Sequence, residues 1–310
     1  MGRFLSLAML SLFLIGLVQA KAAEGQERRC IIDVHLHAYP ADFWGEPGIV
    51  NPVLGGASRS QTDEAIMEHT LAEMERLGIV QAVVSGPIGT VRVWKEAAPQ
   101  RLIASPHFPG LVPFPEMGEL RSYYESGTFG AMAEVLGQYA GMSPSDAALR
   151  PYLDLADEFD TPVGFHMGIS RPGITYDLAP EYRAELGNPL LLEAMLVRYP
   201  ELRVYIMHAG FPFLDETIAL MWAHPQVYAG LGVINWVVPR PAFHSYLRAL
   251  VEAGLGDRLM FGSDQMIWPE AMERAIEGIE SANFLTTEQK QDIFYNNAAR
   301  FLQLTRHEGC

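Results

Sequence analysis

Ile31-Ile32-Asp33-Val34-His35-Leu36-His37 joins an apolar, β-type run to two imidazoles spaced two residues apart. Side chains alternate along a strand, so His35 and His37 share one face, with Asp33 two residues earlier on the same side. Four other apolar runs end in the same manner. They are FGAMAEVLG (129–137) with Glu134, PVGFHMG (162–168) with His166, VYIMHAG (204–210) with His208 and LMFGSD (259–264) with Asp264. A short apolar run that stops at His, Glu or Asp reads as a strand delivering a ligand at its carboxyl end, and a nearby Gly lets backbone approach closely.

The segments between these runs carry helical periodicity. Strands are expected at 30–37, 79–85, 101–105, 130–136, 161–166, 203–208, 227–234 and 258–264. Helices are expected at 63–77, 91–98, 116–126, 143–159, 189–198, 213–222, 241–253, 269–279 and 287–302. Strands alternating with helices imply a parallel sheet. Eight such units imply closure into a (β/α)8 TIM barrel, a fold of about 250 residues whose active site lies at the carboxyl ends of the strands. One barrel domain over 23–310 accounts for the mature chain. The Pro/Gly-rich stretches 39–56 and 170–189 are long for such loops and read as binding walls or lids.

The 310 residues carry a net charge of −15 and no basic cluster, which argues against nucleic acid or an anionic membrane surface as partner. Residues 1–22 read as a secretory leader: Arg3, an apolar run 4–18, then small residues at 18–22. That run is shorter than the roughly 20 residues a spanning helix needs. Export, to a periplasm or the exterior, is therefore expected. The two cysteines, Cys30 and Cys310, flank the mature chain. The last helix of a barrel returns to the amino-terminal face beside strand one, so a bridge is geometrically open to them, as is a pair of free thiols.

Neutral imidazoles and carboxylates suit a divalent ion, zinc first and manganese as an alternative. His35, His37 and Asp264 suit one ion and His166 with His208 a second, with Glu134 between them. Asp33 reads as a buried carboxylate that orients a ligand or serves the fold. His107 is a candidate substrate contact on what reads as an exposed loop. Arg171 is a candidate clamp for a substrate carboxylate. Tyr39, Trp236 and Trp268 are candidate aromatic walls.

The order of these ligand types resembles the amidohydrolase superfamily. His35-Leu36-His37 matches its strand-one pair, Glu134 its bridging strand-four position, His166 and His208 its strand-five and strand-six histidines, and Asp264 its strand-eight aspartate. Pro162-Val163-Gly164-Phe165-His166-Met167-Gly168 and the final run from Tyr295 to Leu302 bring it closest to the amidohydrolase-related (amidohydrolase 2) branch. That branch mixes hydrolases, lactonases and non-oxidative decarboxylases. The leading expectation is a metal-dependent hydrolase of an amide, ester or lactone in a small molecule, with Asp264 shuttling the proton. The alternative is a decarboxylase with one ion on His35, His37, His166 and Asp264, and His208 as acid/base. The substrate, the metal stoichiometry and any homo-oligomer are left open.

Overall fold

The computed structural model describes residues 30–56, 58, 60–305 and 310. The expected leader lies outside the described residues. Eight parallel strands run in chain order: β1 (Ile31–His37), β2 (Ile79–Gly86), β3 (Leu102–Pro106), β4 (Met132–Val135), β5 (Val163–His166), β6 (Val204–Met207), β7 (Val227–Gly230) and β8 (Leu259–Met260). Ladder pairing joins β1 to β2 to β3, and separately β4 through β8. Backbone bonds close both gaps. Between β3 and β4, Gly130 N–H donates to Ala104 O (3.0 Å), Phe108 N–H to Glu134 O (3.2 Å) and Leu136 N–H to Phe108 O (2.8 Å). Between the chain after β8 and β1, Val34 N–H donates to Phe261 O (3.0 Å) and Asp264 N–H to His35 O (2.7 Å). The result is a (β/α)8 barrel.

Helices cover the outside of the barrel. The first, α1 (Asp63–Leu77), is expected from its apolar spacing and has its ends written in the sequence. Thr62 caps it by accepting from Ala65 N–H, and Gly78 ends it in the left-handed conformation at φ 75°. The strands are buried along almost their whole length, as parallel strands covered on both faces should be. Side chains inside the barrel, including Ile32, Val34, Val83, Ala133, Tyr205 and Met260, form a core distinct from the larger one between strands and helices.

Strand β1 departs from strict alternation where the site begins. Asp33 pairs with Ala82 and Leu36 with Val84, so β1 advances three residues against two of β2. Such a bulge re-aims side chains. Val34 packs in the inner core while Leu36 packs in the outer one. The expectation that Asp33 shares the face of His35 is therefore corrected.

Other expected boundaries also shift for physical reasons. The helix expected from residue 143 starts only at Arg150, because Asp146 bends the chain by accepting from Ala148 N–H at 2.9 Å. Strand seven stops at Gly230. Val233 then takes φ 60°, and residues 234–237 turn helical. The final helix expected over 287–302 is interrupted by a π turn at Asp292–Asn296. That turn lets Ile293 O accept from Phe261 N–H at 2.8 Å, which also ends β8 early.

Cys30, which enters β1, is bonded to Cys310 across a sequence separation of 280 residues. A cross-link closing so long a loop restricts the unfolded chain strongly. We expect the Cys30→Ala/Cys310→Ala protein to lose about 2–5 kcal/mol of stability. Urea denaturation compared with wild type checks this; coincident midpoints would contradict it.

Candidate active site

All six expected ligands converge at the carboxyl ends of the strands, and all are buried. His35 and His37 end β1, Glu134 lies in β4 and His166 ends β5. His208 follows β6 and Asp264 follows β8. Two of the six sit in left-handed backbone, His208 at φ 57° and Asp264 at φ 50°, a conformation that costs free energy in non-glycine residues and clusters at functional sites. Glycines make room for the first ligand. A Cβ on Gly262 would meet His35 Cβ at 2.9 Å, and one on Gly232 would meet His35 Nδ1 at 2.8 Å.

The donors fall into groups that share members. His35 Nε2 and His37 Nε2 approach to 3.1 Å, with Asp264 Oδ1 3.1 Å from His37 Nε2 and 3.7 Å from His35 Nε2. His166 Nδ1 and His208 Nε2 lie 3.0 Å apart. Glu134 stands between them. Its Oε2 is 3.6 and 3.5 Å from His35 and His37, and its Oε1 is 2.5 Å from His166 Nδ1 and 3.4 Å from His208 Nε2. His35, His37 and Asp264 form one set with metal-ligand spacing, Glu134, His166 and His208 form another, and His37, His107 and Glu134 form a third that shares a member with each.

The outer nitrogens fix the tautomers. His37 Nδ1 faces Ser85 Oγ at 3.0 Å, His166 Nε2 faces Ile169 O at 3.1 Å and His208 Nδ1 faces Gly232 O at 3.1 Å. A carbonyl can only accept, so the protons of His166 and His208 lie on the outer nitrogens and their lone pairs aim inward. His35 Nε2 and His37 Nε2 share at most one proton, and Asp264 Oδ1 is buried without a hydrogen bond. This donor set fits divalent ions, which need deprotonated nitrogen and carboxylate ligands.

The carboxylates remain charged. Burial opposes ionisation of Asp264, but the neighbouring His35 and His37 hold it down at about 2. Burial likewise opposes the charge on Glu134, and His166 and His35 draw it well below the usual range. Burial lowers His35 and His166. His208 shifts the other way, because Glu134 and Asp264 outweigh its burial.

Asp33 stays outside the cluster but holds its backbone. Its Oδ1 accepts from His35 N–H at 2.9 Å and from Ser263 N–H at 3.0 Å, gripping the bulge and the turn before Asp264 together. Burial pushes it up to about 7, against those hydrogen bonds. Gln265 braces the next residue in the same manner, accepting from His37 N–H at 2.9 Å and donating to His37 O at 2.7 Å.

The candidate substrate contacts separate. His107, expected on an exposed loop, is 2% exposed and joins the cluster, with Nδ1 3.9 Å from Glu134 Oε2. The correction has a backbone cause: the bonds of Phe108 to the chain around Glu134 extend the barrel past β3. Burial drives its imidazole down to about 3, so it is neutral. Arg171 is not brought to the centre. Its side chain, 41% exposed, pairs with Asp177 of the same loop at 2.5 Å. Trp236 Nε1–H donates to Ser263 O at 2.8 Å and Trp268 Nε1–H to Ile49 O at 3.1 Å, so both indoles brace backbone around the site. The third expected aromatic, Tyr39, packs with Phe43 and Trp44 beside His37. Tyr39 lies parallel to His37 at 4.2 Å and to Phe43 at 3.8 Å. Phe43 and Trp44 were legible only as loop residues, with no spacing to single them out.

Residues 32–304 match the amidohydrolase family over most of the chain. The chain belongs to the amidohydrolase family. A segment of 133 residues, 38% of this chain, is 26% identical to Protein fluG of Emericella nidulans, and the match spans 15% of that protein's length. Among solved structures, a probable 2-pyrone-4,6-dicarboxylic acid hydrolase from Acinetobacter baumannii superposes with a TM-score of 0.63 at 14% identity, covering 89% of this chain and 100% of that one. A 5-carboxyvanillate decarboxylase variant from Novosphingobium aromaticivorans, with bound manganese, gives 0.62 at 14% identity, covering 90% and 99%. These likenesses show the fold. Amidohydrolase members are metal-dependent enzymes, hydrolases and decarboxylases among them.

Because Asp33 fixes the backbone of two ligand-bearing segments, Asp33→Ala should weaken zinc binding about 10- to 100-fold, whereas Asp33→Asn, which keeps an acceptor oxygen, should recover most of it. Competition with a chromogenic chelator measures both. Equal zinc affinity in Asp33→Ala and wild type would remove this role.

Proposed function

We propose that this amidohydrolase is a metal-dependent hydrolase of a small molecule, cleaving an amide, ester or lactone bond with an activated water. The observation that carries the reading is Glu134, whose two oxygens face different histidine pairs. A carboxylate so placed suits bridging two cations, a role that decarboxylation on a single ion does not require. Zinc or manganese on His35, His37, Asp264, Glu134, His166 and His208 would lower the pKa of a bound water and polarise the scissile carbonyl.

The protein's own groups handle the proton. Asp264 remains a carboxylate in the neutral range, and its Oδ1 has no hydrogen bond. It is suited to take a proton from the attacking water and return it to the leaving group. His208 Nδ1 lies 3.8 Å from Asp264 Oδ2 while donating to Gly232 O, so its ring stands beside that carboxylate without a hydrogen bond to it. Phe43 and Trp44, half-buried against the buried ring of Tyr39, offer an apolar surface to the substrate.

We further propose that the protein works after export. The leader-like residues 1–22 support this, and so does the Cys30–Cys310 bridge, since such bonds persist in oxidising compartments. N-terminal sequencing of exported protein should find a start near residue 22 or 23; a retained Met1 would argue against it.

The hydrolytic reading predicts two ions per chain by elemental analysis of zinc-loaded protein. Glu134→Gln should then empty the weaker site and reduce content to about one. The competing reading is a decarboxylase with one ion on His35, His37, His166 and Asp264. Wild type saturating at one ion, bound equally well by Glu134→Gln, would favour that alternative, and His208 would become its acid/base.

A further inference from the structure

Tyr39 is held more tightly than a wall residue needs to be. It is 2% exposed, and its ring is sandwiched between His37 (4.2 Å, 11° between planes) and Phe43 (3.8 Å, 4°). Trp44 and His107 meet it edge-on at 5.9 and 5.3 Å. A ring fixed on both faces cannot swing, so its hydroxyl has one position. There it lies 3.2 Å from His107 Nδ1 and 3.5 Å from His37 Nε2.

The direction of the hydroxyl proton follows from its neighbours. Glu134 Oε2, a negative charge 3.9 Å from His107 Nδ1, favours the tautomer with the proton on that nitrogen. His107 Nε2 then carries the lone pair, and this atom is buried with no partner. With Nδ1–H donating to Tyr39 Oη, the tyrosine's own proton turns to the remaining side, towards His37 Nε2 and the cluster. If an ion takes the His37 lone pair, that proton is left for a substrate oxygen.

We propose that Tyr39 donates a hydrogen bond to the oxygen that becomes anionic during acyl cleavage, and that His107 is the positioning residue that aims it. The proposal rests on the hydrolytic reading and adds a catalytic residue to it. As the water oxygen bonds to the acyl carbon, the carbonyl π pair moves onto the carbonyl oxygen while Asp264 takes the water proton. Tyr39 donates to that oxygen. The carbonyl then re-forms, the bond to the leaving group breaks and Asp264 returns the proton to the departing atom. A donor fixed in place before charge develops needs no reorganisation, which is the condition under which such donors are most effective.

Inorganic phosphate, a tetrahedral oxyanion, probes this donor without a known substrate. We would measure its binding to the zinc-loaded full chain by calorimetry, with zinc content determined in parallel. Tyr39→Phe keeps the ring stack and should bind phosphate about 10- to 100-fold more weakly at unchanged zinc content. His107→Ala should lose a comparable factor. His107→Asn, whose amide N–H stands near the position of Nδ1, should recover affinity to within about threefold of wild type, a rescue that mere packing would not give. Tyr39→Phe matching wild type within twofold, or a wild type that does not bind phosphate, would overturn the proposal. Equal losses in His107→Asn and His107→Ala would overturn the aiming role. The hydrolytic reading fails on a different measurement, a wild-type zinc content of one per chain.

Discussion

One backbone hydrogen bond, from Asp264 N–H to His35 C=O at 2.7 Å, joins the last strand segment to the first at the height of the candidate ligands. Barrel closure and assembly of the centre are therefore the same event. The side chains on either side of this bond cannot take up their positions unless the ring of strands is complete. Asp33 reinforces the seam from below by holding the amides of His35 and Ser263 on a single oxygen. A site built across the seam needs the whole fold behind it, which places its precision in the rigid part of the molecule rather than in the loops.

Charge is arranged to match. Bringing Asp264 and Glu134 into one buried space is unfavourable without compensation. Here imidazoles surround them, and the far nitrogens of His37, His166 and His208 are each held by an oxygen. The lone pairs that remain converge on the space between the carboxylates. The polar groups thus define a cation's environment through their hydrogen bonds alone, independently of the family to which the chain belongs.

Much of this was legible in the sequence, because a ligand at the end of an apolar run is a local signal. The six candidate ligands that the fold brings together, the barrel and the β/α order can be read in that manner, and α1 can be read to its terminal residues. What could not be read depends on distant partners. The bulge at Asp33–Leu36 is set by pairing with β2, and the π turn at Asp292–Asn296 by Phe261. The burial of His107 depends on the Phe108 bonds to β4. Arg171 is the opposite case. Its position after strand five suggested a clamp, but Asp177, six residues away, is the partner it finds. Tyr39 was visible as an aromatic residue, yet the role of its hydroxyl appears only when the rings on both of its faces are known.

The disulfide has a topological consequence. Residues 30–310 form a closed covalent ring, with the barrel strands strung around it and the bridge beside the start of β1. Proteolytic nicking of an exposed loop, such as the segment that carries Tyr176, would turn that ring into a linear chain without releasing a fragment. Both ends of the cut would stay on one molecule, held by the strand ladder and by sulfur. A barrel joined in this manner tolerates a single break in its backbone, and fragments separate only after a second cut or reduction of the bridge.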